Sequence, residues 1–599
     1  MVRTLRGGAA LGLLLALAPA PPAEAQGMAS PTRPRRAVKP VETDLPPITV
    51  DFRDVAQEAG LVAANVSGGE ETKKYILETT GNGVALFDYD GDGRLDVFLP
   101  SGTTLDGDGK GATATNRLYR NLGGLRFEDV TERAGLRRGG WGQGACVGDY
   151  DGDGRRDLFV TYYGTSVLYR NQGDGTFRDA TEAAGLRAEG VRWDTGCSFF
   201  DYDRDGRLDL VVVSYLEFDR GKIPEPGSGG YCQWKGVPVM CGPRGLPFAR
   251  SRLFHNEGDG RFRDVSTESG IARAGRCYGF TAVASDFDND GWPDLYTSCD
   301  STMSLLHRNR GDGTFEEVGL LAGVAVNEDG QEQAGMGVAV ADYDEDGWWD
   351  IAKTNFSDDV PNLYHNLGDL TFEDRVFRAG LGGEMEYLGW GMHFLDVDHD
   401  GRRELLIVNG HVYPEVDRLP EVSYRQPRQL FWNVGGGRFV DLSTRAGPGI
   451  AAAWSSRGSA VGDLDGDGSL EVVISNLGAR PSLLKNFGPK QGWLLVQCEG
   501  ADANRDAIGA RVHVQAGGLR LSGEVQGGSS FLSQSDFRLH FGLAGNAAYD
   551  RIEVRWPGGR RETFPGGAAN RAVVLKEGTG SPEGGTGSPA DAGRDRPAS

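Results

Sequence analysis

The sequence predicts an all-β chain, a seven-bladed β-propeller followed by a small β domain, on three recurring features. An acidic nonapeptide of the form D-x-D-x-D-G-x-x-[DE] occurs seven times. An apolar-aromatic strand ending in Asn occurs seven times, and so does a strand opening on Phe. The last two run out of phase at the chain ends, as a closed ring requires.

The nonapeptide brings together Asp88, Asp90, Asp92 and Asp96, then Asp149, Asp151, Asp153 and Asp157, then Asp201, Asp203, Asp205 and Asp209. It continues with Asp286, Asp288, Asp290 and Asp294, and with Asp342, Asp344, Asp346 and Asp350. The last two copies, Asp396, Asp398, Asp400 and Glu404, and Asp463, Asp465, Asp467 and Glu471, end in Glu. Alternate carboxylates on a curled loop converge on one point, and the Gly at the sixth position permits the turn. Oxygen-only ligands in a flexible loop suit Ca²⁺ better than zinc or copper, and Mg²⁺ demands a stricter octahedron. The expectation is up to seven structural Ca²⁺ ions. The loop starts like an EF-hand, but its last acid comes at position nine and strand-like residues follow, as in Val97-Phe98-Leu99 and Leu158-Phe159-Val160. A bare Asp-Gly turn is the alternative for any single copy.

Each acidic loop therefore joins two strands. The Asn-ending strands close at Asn121, Asn171, Asn256, Asn309, Asn366, Asn433 and Asn486. Gly turns such as Gly173-Asp174-Gly175 lead from them into the Phe strands, which open at Phe52, Phe127, Phe177, Phe262, Phe315, Phe372 and Phe439. Four strands make a unit. Phe52 precedes the first acidic loop and no Phe strand follows Asn486, so the N-terminal strand is expected to complete the last unit.

Insertions at 101–115, 214–250 and 409–429 all fall between the second strand and the Asn-ending strand, on the face opposite the acidic loops. Insertions gathered on one face of a repeat protein mark a binding surface, with a rigid ornament as the alternative. Tyr231, Trp234, His411, Tyr413, Glu415 and Asp417 are the candidate ligand-face residues.

A net charge of −22 argues against nucleic acid as partner, yet the acidic loops hold 28 of the 85 Asp and Glu. Arg3 and Arg6, an apolar run from Ala9 to Ala18, and Ala23-Glu24-Ala25 read as a signal peptide over residues 1–25. No later apolar run approaches a membrane span, so the expectation is a secreted or periplasmic protein whose partner is an extracellular or periplasmic protein or glycan. Of seven cysteines, Cys232 and Cys241 are the candidate disulfide; Cys146, Cys197, Cys277 and Cys299 read equally well as small buried hydrophobes. Residues 26–47 read as a flexible leader, 48–490 as the propeller, 491–576 as the β domain and 577–599 as a disordered tail.

The acidic repeats resemble the FG-GAP/VCBS repeats of integrin-α-type propellers. After them, Asn504-Arg505, Ala507-Ile508-Gly509-Ala510-Arg511-Val512, Gly527-Gly528, Ser533-Gln534-Ser535, His540-Phe541-Gly542-Leu543 and Trp556-Pro557-Gly558-Gly559 are similar to the ASPIC/UnbV domain. The combination is that of the cartilage acidic protein family and its bacterial relatives. The resemblance implies a secreted calcium-binding propeller and supplies no reaction. Gln534, Asp536 and His540 can line a ligand site, although a His before a Phe-Gly turn is more often structural.

No nucleophile elbow, P-loop or zinc signature is present. His255, His307 and His365 occupy or adjoin the Asn strand, which reads as a repeat position rather than a site, and His399 at the fourth position of its loop is expected to point away from the metal. The sequence thus favours a binding, adhesion or scaffold protein over an enzyme. The alternative is a calcium-dependent glycan lyase or hydrolase working on the inserted face.

Overall fold

The computed structural model describes residues 36, 38, 41–105, 114–228, 232–383 and 385–582. The expected signal peptide, Tyr231, most of the leader and most of the tail lie outside them.

The first unit shows the plan. Ala85–Phe87, Asp96–Leu99, Arg117–Asn121 and Phe127–Asp129 pair antiparallel in chain order. Phe98 sits opposite both Ala85 and Leu118, and Asn121 opposite Phe127. Seven such four-stranded units occur among the described residues, the second and third joined into one sheet through Arg192↔Gly164 and Trp193↔Tyr163. The last unit, Ser456–Gly462, Glu471–Asn476 and Ser482–Asn486, takes its fourth strand from Phe52–Asp54, with Phe52 opposite Asn486, as the phase of the repeats predicts. First strands of successive units touch in cyclic order, and Ser456–Gly462 closes the circuit against Ala85–Phe87. The chain is a β-propeller.

The first two strands of each blade are buried on both faces because blades pack face to face. Between the last and first blades lie Leu86, Val97, Tyr119, Val473 and Leu483, and between the fifth and sixth lie Ala352, Leu363, Met392 and Leu405. The core is thus a series of apolar layers between blades. Disulfides add covalent ties: Cys232–Cys241 in the long insertion, as expected, and two pairs that spacing did not reveal. Cys146–Cys197 joins the first strands of the second and third blades, and Cys277–Cys299 lies within the fourth.

The C-terminal domain has two sheets. One holds Gly492–Glu499 between Leu539–Ala544 and Arg571–Lys576; the other runs Leu519–Glu524, Arg511–Ala516, Ala548–Arg555, Arg561–Ala568 and Ser581–Pro582. The last of these strands corrects the expected boundary, because residues 581–582 pair with Glu562 and Thr563 instead of starting a tail. The leader also needs correction at its end. Arg36 is ion-paired with Glu328 and Asp329, and Val41 packs beside Gly380.

The segment between Leu519–Glu524 and Leu539–Ala544 leaves the domain and threads the propeller axis. Ser530 exchanges both backbone hydrogen bonds with Val338, Gln534 N donates to Val84 O, Leu86 N donates to Gln534 O, and Ala145 N donates to Leu532 O. Three blades therefore grip one plug, and Asp536 N adds a sixth bond, to Val461 O of a fourth. The close approach demands glycine, since a Cβ on Gly83 would stand 1.9 Å from Leu532 O and one on Gly527 1.9 Å from Phe199 O. Phe531 is fully buried at the tip, with ring centroids 4.7 Å from Trp390 and 5.4 Å from Phe280.

Phe531→Ala removes that tip and leaves a cavity on the axis. Denaturant unfolding should show a loss of about 3–5 kcal/mol, whereas a loss within experimental error would mean that the plug contributes nothing to holding the blades.

Candidate metal centre

In the first loop, Asp88 accepts from Asp92 N (3.1 Å) and Gly93 N (2.8 Å), which curls the backbone around its carboxylate. The Gly at the sixth position takes left-handed φ values, from 83° at Gly93 to 99° at Gly291, which is why a side chain is disfavoured there. The ninth acid is the buried floor: Asp96 Oδ2 accepts from Tyr89 N (3.1 Å) and Oδ1 from Asn121 N (2.7 Å). One carboxylate oxygen from each of Asp88, Asp90 and Asp96 lies within 4.8 Å of the others. The same holds for Asp149, Asp151 and Asp157, and for Asp201, Asp203 and Asp209.

The third position carries the clearest sign of a missing charge. Asp90, Asp151, Asp203, Asp344, Asp398 and Asp465 each bury an Oδ1 that has no hydrogen-bond partner. An orphaned carboxylate oxygen costs several kcal/mol unless a cation meets it. The donor set at positions one, three and nine therefore fits a cation. The fifth acid is partly diverted, since Asp92, Asp153, Asp205 and Asp400 are paired with Arg94, Arg155, Arg207 and Arg402. In the fourth loop Asp286 meets Arg555 of the C-terminal domain at 2.5 Å, while its Oδ1 stays unpartnered.

Burial and mutual repulsion raise these acids. Burial first, then the neighbouring loop acids, push Asp96 to about 8 and Asp157 to about 9; Glu471 goes to about 8, and Asp294, Asp396 and Glu404 go well above the usual range.

The Asn signature now has a function. Asn171 Nδ2 donates to its own loop at Arg156 O (3.1 Å) and to the preceding blade at Tyr89 O (2.8 Å). The inter-blade bond recurs from Asn256 to Tyr150, Asn309 to Tyr202, Asn366 to Phe287, Asn433 to Tyr343 and Asn486 to Val397. Asn121 to Leu464 O (2.8 Å) closes the ring.

The residue before that Asn was not foreseen as part of the site. It faces the loop acids: Arg120 pairs with Asp90 (2.6 Å), Arg170 with Asp151 (2.5 Å), Arg308 with Asp288 (3.1 Å), and Lys485 with Asp465 (2.5 Å), Asp467 (2.8 Å) and Glu471 (3.2 Å). In the third and fifth blades it is His255 and His365, which corrects their reading as repeat positions without a site role. In the sixth it is Trp432. His307 is core, buried and lowered to about 4, and His399 turns to Gln491 O (3.2 Å).

The inserted face differs from expectation. Trp234, His411, Tyr413 and Glu415 are buried, and only Asp417 of the described candidates is exposed. Trp234 packs on Phe356 at 5.2 Å and His411 at 5.9 Å, because aromatic side chains from loops facing each other across the ring gain more by burying against one another than by facing water. These loops form a cap over the axis, not an open rim of ligand contacts. Gln534 and Asp536 belong to the plug, and His540 meets Gly468 O (2.9 Å), so all three are structural.

Without a cation, the folded chain keeps protons on Asp96, Asp157 and Glu471 up to about 8, 9 and 8. Unfolded, these acids ionise near 4, so their favourable contribution is complete below about pH 4 and is lost as the pH rises through the folded values. Chelated protein should resist urea less at pH ~9 than at pH ~6; equal or greater resistance at the higher pH would contradict this electrostatic reading.

The FG-GAP-like repeat pattern matches residues 88–160, 149–212, 245–297, 286–353 and 420–474, and the ASPIC and UnbV pattern matches residues 500–582. The chain is similar to cartilage acidic protein 1 of Homo sapiens, 28% identical over 314 residues that cover 50% of this chain and 43% of that protein. The Mus musculus protein of the same name is 25% identical over 504 residues, 80% of this chain and 70% of the relative. The chain thus spans less than half the length of the human relative in that match. A solved Agrocybe aegerita lectin, described as recognising non-reducing terminal N-acetylglucosamine, aligns with a TM-score of 0.34 and 17% identity over 66% of this chain and 85% of its own, too loosely to carry an argument. The repeat matches fall on the blades and the other on the domain that plugs them: the chain belongs to the family that joins FG-GAP-like repeats to an ASPIC and UnbV domain.

Proposed function

We propose that this chain is an exported Ca²⁺-binding propeller that acts by binding, as an adhesion or scaffold protein toward an extracellular or periplasmic protein or glycan, with its ions in a structural role. The observation that carries the metal is the unpartnered, buried Oδ1 at the third position of six loops, converging with the first and ninth acids in the first three loops. Oxygen-only donors favour Ca²⁺ in the loops that offer no imidazole. Export is supported by three disulfide pairs, which an oxidising compartment preserves, and by the signal-like N-terminus. Weak calcium sites also fill outside the cytosol.

A binding role fits the architecture better than catalysis. The plug fills the axis and the cap buries the aromatic and histidine side chains that a glycan-cleaving site on that face would have used. Relatives named cartilage acidic protein point the same way.

Thermal unfolding of the mature protein in millimolar Ca²⁺ and in chelator, with metal analysis after dialysis, tests the metal. The expected result is several Ca²⁺ per chain and a large drop in Tm in chelator, since a ligand bound to the native state alone stabilises it by mass action. Asp90→Ala should lower the count by one. An unchanged Tm with no bound metal would sink the proposal.

A further inference from the structure

The residue before the recurring Asn pairs with the loop acids in six blades, and its chemistry is not uniform. Arg120, Arg170, Arg308 and Lys485 can only donate hydrogen bonds, so they act as fixed positive charges beside the acids. An imidazole differs: its neutral form has a lone pair for a metal.

His365 in the fifth blade is 5% exposed. Its Nδ1 stands 3.3 Å from Asp344 Oδ2 and 3.3 Å from Asp350 Oδ1, and its Nε2 3.6 Å from Asp346 Oδ2. Despite those short distances Nδ1 satisfies hydrogen-bond geometry with no partner, and Asp344 Oδ1 is unpartnered beside it. Ligand atoms of Asp344, Asp346 and His365 lie within 4.8 Å of one another. Arg375 is the other cation at the edge, 3.9 Å from Asp344. Two ligands held about 2.0 Å from a tetrahedral Zn²⁺ stand roughly 3.3 Å apart, the spacing that Nδ1 keeps from both carboxylates.

We infer that the fifth blade's loop is a mixed nitrogen-oxygen site that selects a borderline transition ion of the Zn²⁺ class over Ca²⁺, with His365, Asp344 and Asp350 as ligands. The inference rests on the reading of these loops as cation sites and separates one of them from the all-oxygen set. The third blade repeats the arrangement, with His255 Nδ1 3.3 Å from Asp203 and 3.3 Å from Asp209 and likewise unpartnered, though less buried. A neighbouring imidazole converts a hard-ion loop into one that nitrogen-preferring metals occupy.

The test is calorimetric titration of Zn²⁺ into the full mature chain in millimolar Ca²⁺, with Co²⁺ absorbance as a second readout of tetrahedral nitrogen-oxygen ligation. Wild type should take up Zn²⁺ in the presence of Ca²⁺. His365→Asn should weaken one such site at least about tenfold and lose its Co²⁺ band, while keeping the wild-type Ca²⁺-dependent Tm shift, which shows that the variant folds. No Zn²⁺ uptake above Ca²⁺, or uptake indifferent to His365→Asn, would overturn the inference. The two readings fail separately: a Tm shift with Ca²⁺ but no His365-dependent Zn²⁺ removes only this one, and His365-dependent Zn²⁺ without any Ca²⁺ shift removes only the calcium assignment.

Discussion

The side-chain amide of one Asn per blade is the contact on which the rest depends. It bonds a carbonyl of the preceding loop, and in the first six blades it also bonds a carbonyl of its own acidic loop while its backbone N–H meets the ninth acid. Each loop is thus held from two sides, and the last bond, Asn121 to Leu464, makes the set circular. Buried amides of this kind are costly to leave unmade, so blade order, loop shape and the convergence of carboxylates are secured together. The acids can then sit close enough to repel one another because the frame around them does not yield.

That frame leaves the acidic face electrically incomplete and the opposite face closed. On the first, the C-terminal domain supplies some of the missing charge, Arg555 to Asp286 being the plainest case, and a cleft of 470 Å³ beside the first and second loops still opens onto Asp88, Asp90 and Asp149. On the second, Trp234, Phe356, His411 and Tyr413 close over the axis from above while Phe531 fills it from below. The propeller has no free channel along the plugged stretch. A protein built this way presents rigid outer surfaces, which suits holding a partner more than enclosing a substrate.

Much of this was legible in the residues because it repeats. Seven copies of the nonapeptide gave the blades and their acids, and the early Phe52 gave the closing strand. What escaped was what occurs once or joins distant segments. The plug is a single excursion, and its Gly527-Gly528 and Ser533-Gln534-Ser535 carry no period that points into a channel. Cys146 and Cys197 are 51 residues apart, and only the adjacency of two first strands brings them together. The sequence of the inserted loops leaves a binding surface and a rigid ornament both open, because it shows aromatic residues without showing what they bury against. The charge-bearing position before each Asn was visible as an offset, but its variety of Arg, His, Lys and Trp hid it as a feature.

The most direct measurement is an anomalous-difference map from crystals of the mature protein grown with Ca²⁺. The account predicts peaks among the first, third and ninth acids of the all-oxygen loops, beginning with Asp88, Asp90 and Asp96, each within about 2.3–2.6 Å of carboxylate oxygens. Featureless loops, with the third-position oxygens turned to water or to their Arg neighbours, would contradict it.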